Sequence, residues 1–353
     1  MHFFSRQIFL LLVFLTLITK AGAQGSRPSP EVRKMYDDAQ DNMDRHNFPG
    51  AELIYKQAIK LDPQNTALYQ GLARAFYYEG KYNEAAQTLE PVLTYNKIND
   101  TCYQLLAASL SAQRKDKEAS RILRDGLNRF KTSGLLYNQQ GILYKQERKE
   151  KEALASFVSG ITADAACAAN YRDAGEISMH RDRIMAGLLY TETYLAITHD
   201  TTGDEAIKTR LLGAYKSMFA QIAGADVPKY GAGKTDDIPK DFAAVILYMY
   251  SHLTPVVSDG MTVSNLVMVR TRFLLEWSAK WKDKYPCTLF SYQDQLLRTG
   301  QFDKYNEWLF GKAINTTEFD AWNKFHDGEL SAFVLWRQSH PLIPAGHEGD
   351  YFK

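Results

Sequence analysis

The sequence predicts an all-α chain: a solenoid of helix hairpins over residues 31–200, followed by an all-helical C-terminal region over residues 201–353. Two observations carry that prediction. Small residues recur at intervals of 34 through the first half, and apolar residues keep a helical period through the second.

The N-terminus sets the compartment. Arg6 precedes an apolar run from Ile8 to Ile18, and Ala21-Gly22-Ala23 then offers a small-x-small cleavage site before Gln24. This pattern predicts a secretory signal peptide over residues 1–23 and a short linker over 24–30, since the apolar run is too short to span a bilayer. No cysteine follows the cleavage site to carry a lipid anchor. The expectation is an exported chain, periplasmic or secreted, soluble after cleavage, with no membrane span elsewhere. Without Arg6 and Lys20 the formal charge falls from +1 to −1, with 40 basic against 41 acidic side chains. That balance gives nucleic acid and anionic membranes nothing to hold.

The repeat comes next. Asn47-Phe48-Pro49-Gly50-Ala51, Gly80-Lys81-Tyr82-Asn83-Glu84-Ala85, Lys115-Asp116-Lys117-Glu118-Ala119 and Lys149-Glu150-Lys151-Glu152-Ala153 align with their alanines 34 apart. In the same register stand Ala39, Ala73, Ala107 and Gly141, then Tyr55, Leu89, Leu123 and Phe157, then Ala58, Val92, Gly126 and Gly160. Small side chains let two helix backbones approach, and large ones three or four residues away fill the groove between neighbours. The pattern resembles the tetratricopeptide repeat (TPR), whose 34-residue unit is a helix hairpin with small residues at the crossing. The resemblance covers about half of the mature chain, roughly five helix pairs, the fifth degraded: Tyr171, Ala174-Gly175 and the run from Ala186 to Ile197. Cys102 and Cys167 begin first helices two units apart, too far for the roughly 7 Å a disulfide allows between Cα atoms, so both are expected free and buried.

After Asp200-Thr201-Thr202-Gly203-Asp204 the repeat fades, but helices continue over Glu205–Ile222, Phe242–Leu253, Val263–Trp281 and Phe319–Arg337. A Gly/Pro/Lys linker falls near 223–240. Arg298 to Gly311 has the shape of a TPR turn and second helix, which predicts a divergent TPR-like hairpin there. All five tryptophans lie in this half: Trp277, Trp281, Trp308, Trp322 and Trp336. Their helical spacing reads first as core packing, with an aromatic platform for a glycan as the alternative. Signal peptide, hairpins and the segment Phe302-Asp303-Lys304-Tyr305-Asn306-Glu307-Trp308-Leu309-Phe310-Gly311 together resemble exported, largely uncharacterised TPR proteins of Bacteroidota.

Chemistry is sparse. Pro228 to Asp237 ends in Gly233-Lys234-Thr235, like a phosphate loop, but Pro228 stands where the first glycine belongs and can offer no N–H. Asp236 and Asp237 add negative charge where phosphate would sit, so no nucleotide is expected. Asp173, Glu176 and His180 share a helix face, which reads as a salt-bridged surface sooner than as a metal site. His326, His340 and His347 converge only if the tail from His340 to His347 folds back. No catalytic motif, cofactor site or metal site is predicted, and the chain reads as a non-enzyme. The inner wall of a hairpin stack comes mainly from first helices. Here it would present Tyr36, Gln70, Gln104, Asn138 and Arg172 at intervals of 34, with Arg74, Tyr77 and Lys145 beside them. A row of amides suits an extended peptide, because each can donate to and accept from a backbone. The expected function is a non-catalytic scaffold for a protein or peptide partner in the cell envelope; the alternative is glycan binding or processing by the aromatic half.

Overall fold

The computed structural model describes residues 28–179, 183–198, 204–224 and 241–346. The signal peptide, most of the Gly/Pro/Lys linker with its phosphate-loop look-alike, His180 and His347 lie outside the described residues. Regular structure among the described residues is helical throughout, with no strand. No described helix is long and apolar enough to cross a membrane.

The chain divides into two compact units after Gln113. The N-terminal unit holds helix pairs α1 (Pro30–Asp44) with α2 (Phe48–Leu61) and α3 (Thr66–Tyr78) with α4 (Tyr82–Leu89), followed by α5 (Asp100–Ala112). The second unit opens with α6 (Asp116–Arg129) and continues with the pairs α7 (Gly134–Gln146) with α8 (Glu150–Ala163) and α9 (Ala168–Ser178) with α10 (Ile184–Ile197). The architecture is an all-α stack of helix hairpins.

The small residues of the repeat sit where the crossings need them. Ala39, Ala51, Ala73 and Ala85 in the first unit and Ala153 in the second have no exposed surface. At two crossings even a methyl group is too much. A Cβ on Gly71 would lie 2.3 Å from the Tyr55 ring, and one on Gly141 would lie 2.3 Å from the Phe157 ring. Both rings are fully buried, so the space that glycine leaves is the space they fill.

The period is also written into the backbone. His46, Gly80, Arg114 and Arg148 have φ between 57° and 76° and stand 34 residues apart. At three of these turns the next N–H closes back on a carbonyl five residues earlier: Asn47 on Asn42, Lys81 on Phe76 and Lys149 on Tyr144. That is the left-handed close of a helix C-terminus, most at ease with glycine yet met here by one glycine, one histidine and two arginines. First helices begin on an equally regular cap. Asn65, Asn99 and Ser133 accept from backbone N–H groups of the first turn at 3.2–3.4 Å. Cys167 holds the same register position without a side-chain cap and is only half-buried, unlike Cys102; all three cysteines are free thiols.

Beyond α10 the second unit continues as α11 (Glu205–Ala223), α12 (Phe242–Ser251), α13 (Val263–Lys280), α14 (Thr288–Arg298) and α15 (Phe302–Asn306). A π-helical turn (Glu307–Gly311), α16 (Lys312–Ile314), α17 (Thr316–Phe325) and α18 (Glu329–Ser339) complete it. These helices share one core with α10: Leu188 and Leu195 pack in a cluster with Leu211, Met218, Phe273, Trp277, Phe290 and Phe310. Between α14 and α15, Gly300 has φ 68° and Gln301 N–H closes on the Leu296 carbonyl at 2.8 Å, the same turn as in the repeats. The divergent hairpin is there, ending in a π turn. The single helix expected over Phe319–Arg337 is instead two. Gly328, at φ 77°, starts α18 afresh after His326 has closed α17.

Two polar nodes tie the C-terminal helices to α10. Glu192 on α10 is buried and accepts from Arg270 of α13, from Gln293 of α14 at 2.6 Å, and from the Tyr305 and Tyr215 hydroxyls at 2.9 and 3.2 Å. Arg337 of α18, also buried, donates to the carbonyls of Leu195, Ala196 and Thr198 at 2.7–3.3 Å. A cation there satisfies acceptors that the end of α10 leaves open. Its guanidinium also lies 3.9 Å from the centre of the Trp308 ring. The tail after His340 does return on the repeats: Leu342 is buried, and Gly346 approaches the Thr162 carbonyl at the end of α8.

Candidate functional site

In the N-terminal unit the expected wall residues Tyr36 on α1, Gln70, Arg74 and Tyr77 on α3, and Gln104 on α5 are all half-buried. Gln70 is not idle. Its amide donates to the Asn99 carboxamide oxygen and to Cys102 Sγ at 3.0 Å, stitching α3 to the start of α5. Gln104 is engaged as well. Tyr36 meets Tyr55 edge-on at 6.1 Å, and the buried Tyr55 hydroxyl accepts from Gln40 at 2.6 Å. Burial pushes the Tyr55 hydroxyl well above its usual range; Tyr36 adds to this and the positive charge of Arg74 opposes it.

Tyr77 belongs to a run of rings along the hairpin turns that sequence reasoning missed. Tyr77 meets Tyr82 at 5.2 Å and Tyr78 at 6.1 Å, Tyr78 stacks on Phe48 at 5.3 Å, and Phe48 meets His46 at 5.8 Å. The signal was available: Phe48 and Tyr82 are themselves 34 apart, each opening a second helix.

In the second unit the wall is largely spent on itself. Asn138 departs from the expectation of a groove residue. It is 6 % exposed and donates to the buried Asp173 carboxylate at 2.8 Å. Arg172 clasps the same carboxylate at 2.8 and 3.1 Å, and Lys145 pairs with Glu176 at 2.8 Å. Asp173 and Glu176 are therefore consumed by cations and an amide. Among the described residues no group of three or more His, Cys, Asp or Glu side chains could hold a metal. Asn138→Ala is expected to lower stability by about 1.5–3 kcal/mol, because a buried carboxylate loses a donor. Urea denaturation measures this, and an unchanged midpoint would show the bond to be idle.

The tryptophans divide. Trp277, Trp281 and Trp308 are core residues. Trp322 and Trp336 are not fully buried, and each carries a histidine ring four residues on, His326 at 4.5 Å and His340 at 4.4 Å, stacked on its face. Both histidines also bond back to the tryptophan carbonyl, at 2.9 and 3.1 Å, closing their helices.

No protein-family model matches the chain, and no curated protein matches it either. Solved structures do. The chain is similar to TTC0263, a thermophilic TPR protein of Thermus thermophilus, at 16 % identity and a TM-score of 0.45, over 52 % of this chain and 99 % of that one. It is similar to a tetratricopeptide repeat protein from Parabacteroides merdae at 15 % identity and a TM-score of 0.38, over 86 % of this chain and 98 % of that one. A third, YrrB, described as a TPR protein with an unusual peptide-binding site, matches at 20 % identity and a TM-score of 0.34, over 52 % of this chain and 90 % of that one. The fold of paired helices stands on the crossings and turns described above, and these proteins are similar in that fold.

Proposed function

We propose that the protein is an exported, non-catalytic scaffold that holds an extended segment of a protein partner in the cell envelope, using the first-helix wall of its N-terminal unit. One observation carries the choice of wall. Tyr36, Arg74 and Tyr77 make no side-chain hydrogen bond or ion pair with any described residue, whereas Asn138, Lys145 and Arg172 of the second unit are bonded to Asp173 and Glu176. Extended peptides suit such a surface because their backbone and alternate side chains both need partners. The glycan alternative draws less support, since three tryptophans are buried and the faces of the other two carry histidines.

The test is display selection of extended decapeptides on the chain from Gln24 onward. Saturable binders are expected, and Tyr36→Phe/Arg74→Gln/Tyr77→Phe, which keeps both rings packed and removes only the polar groups, should lose them while keeping helicity and melting. Retention of the same binders by the triple variant would reject this wall. Retention on insoluble polysaccharide that depends on Trp322 or Trp336 would favour the glycan reading instead. Export is tested separately, by fractionating the native envelope and reading the N-terminus, which should begin at Gln24.

A further inference from the structure

We infer that the segment held on the N-terminal unit presents a single acidic side chain, seated on Arg74 between Tyr36 and Tyr77; this rests on the peptide reading above. The argument is an account of cations. On the N-terminal unit Lys56 pairs with Glu52 at 2.6 Å, and Lys81 pairs with Glu52 and Glu79 at 3.0 and 2.7 Å. In the second unit Lys145 and Arg172 have their own carboxylates. Arg33, Lys34, Arg45, Lys60 and Lys97 make no side-chain bond to a described residue either, but they are exposed; Arg74 differs in being half-buried on the wall while making no hydrogen bond or ion pair with any described residue. The group that feels its charge is the buried Tyr55 hydroxyl, which already accepts from Gln40.

A guanidinium partly withdrawn from water without an acceptor is poorly satisfied, and its planar fork matches a carboxylate with two parallel bonds. Tyr77 stands three residues on along α3, hence on the same helix face, and Tyr36 reaches the same Tyr55 ring from α1. Their hydroxyls add donors and their rings add apolar walls. The same surroundings limit the charge. The helix that carries Tyr36 also carries the exposed carboxylates Asp37, Asp38, Asp41 and Asp44, and Asp44 at its end acts on the Tyr55 hydroxyl as well. One acid on Arg74 is therefore favoured, and a run of acids meets Asp44.

The probe is a set of soluble random decapeptide pools carrying one central Glu, one central Gln, one central Lys, or three consecutive Glu, measured against the chain from Gln24 onward. Wild type should hold the single-Glu pool about tenfold or more over the Gln pool, the worth of a hydrogen bond to a charged group. It should hold the triple-Glu pool less well than the single-Glu pool. Arg74→Gln should level Glu with Gln, and Arg74→Glu should turn the preference to Lys. Melting should stay unchanged in Arg74→Gln, since Arg74 bonds to no described residue. Equal retention of the Glu and Gln pools by wild type, or a Glu preference that survives Arg74→Gln, overturns the inference while leaving the peptide reading intact. Retention of no pool overturns both.

Discussion

Replacing Arg270 by Met is expected to cost about 3–5 kcal/mol, the loss typical of breaking a buried ion pair from one side. Arg270 and Glu192 are each 1 % exposed. The guanidinium bonds to Glu192 and Asn306, and the rings of Tyr215, Phe302, Tyr305 and Phe310 stand 5.3–5.8 Å from it. Burial works against its charge, but the Glu192 carboxylate and the surrounding tyrosines together outweigh burial and hold the guanidinium above its ordinary range. Met fills much of the volume, yet it leaves a buried carboxylate with only the neutral donors Gln293, Tyr305 and Tyr215. The cycle with Glu192→Leu separates charge from packing. Arg270→Met/Glu192→Leu should lose less than the sum of the single variants, because neither charge is then stranded. It should not return to wild type, because three donors lose their acceptor. Equilibrium unfolding in urea reads all four corners. An Arg270→Met protein with wild-type stability would mean that apolar packing alone fastens α13 and α14 to α10.

That node was visible in the sequence only as two oddities: Glu192 in an otherwise uncharged second helix, and Arg270 among Val267, Met268, Val269 and Phe273. A lone charge on a core face implies a partner, but the partners lie 23, 78, 101 and 113 residues away from Glu192, and no local period points to them. The hairpins were legible because their constraint is local and repeated; a backbone crossing needs a small residue wherever it occurs. The turns were less so. Their left-handed residues recur every 34, but only Gly80 is the residue type that announces such a turn.

The register of these side chains was legible in the sequence, and their bonding partners were not. Spacing at 34 does bring Gln70 and Asn138 to matching positions, but it also brings each within reach of the next first helix. Gln70 thus finds Asn99 and Cys102, and Asn138 finds Asp173. An amide beside an unsatisfied neighbour is taken up by the fold before any ligand arrives. Spacing decides which side chains share a face, whereas a free donor is known only once its neighbours are known.

The same logic makes glycine substitutions a sharp test of the crossings. Gly141→Leu is expected to destabilise by at least about 1–3 kcal/mol, since its Cβ would meet Phe157 Cε1, Cδ1 and Cζ at 2.3–2.7 Å. Phe157→Ala should cost about 3–5 kcal/mol by leaving a cavity where a fully buried ring stood. If the two residues fill one space, Gly141→Leu/Phe157→Ala should lose less than the singles summed, by about 0.5–3 kcal/mol. Gly213 on α11 supplies the contrast, because nothing lies within 4 Å of where its Cβ would stand. There Gly213→Ala should stabilise by up to about 1 kcal/mol, the ordinary helix preference of alanine over glycine. Thermal melts of wild type and these four variants decide the matter. Additive losses at 141 and 157 would mean that the ring and the glycine do not share a crossing. A destabilised Gly213→Ala would mean that something outside the described residues covers α11 at that point.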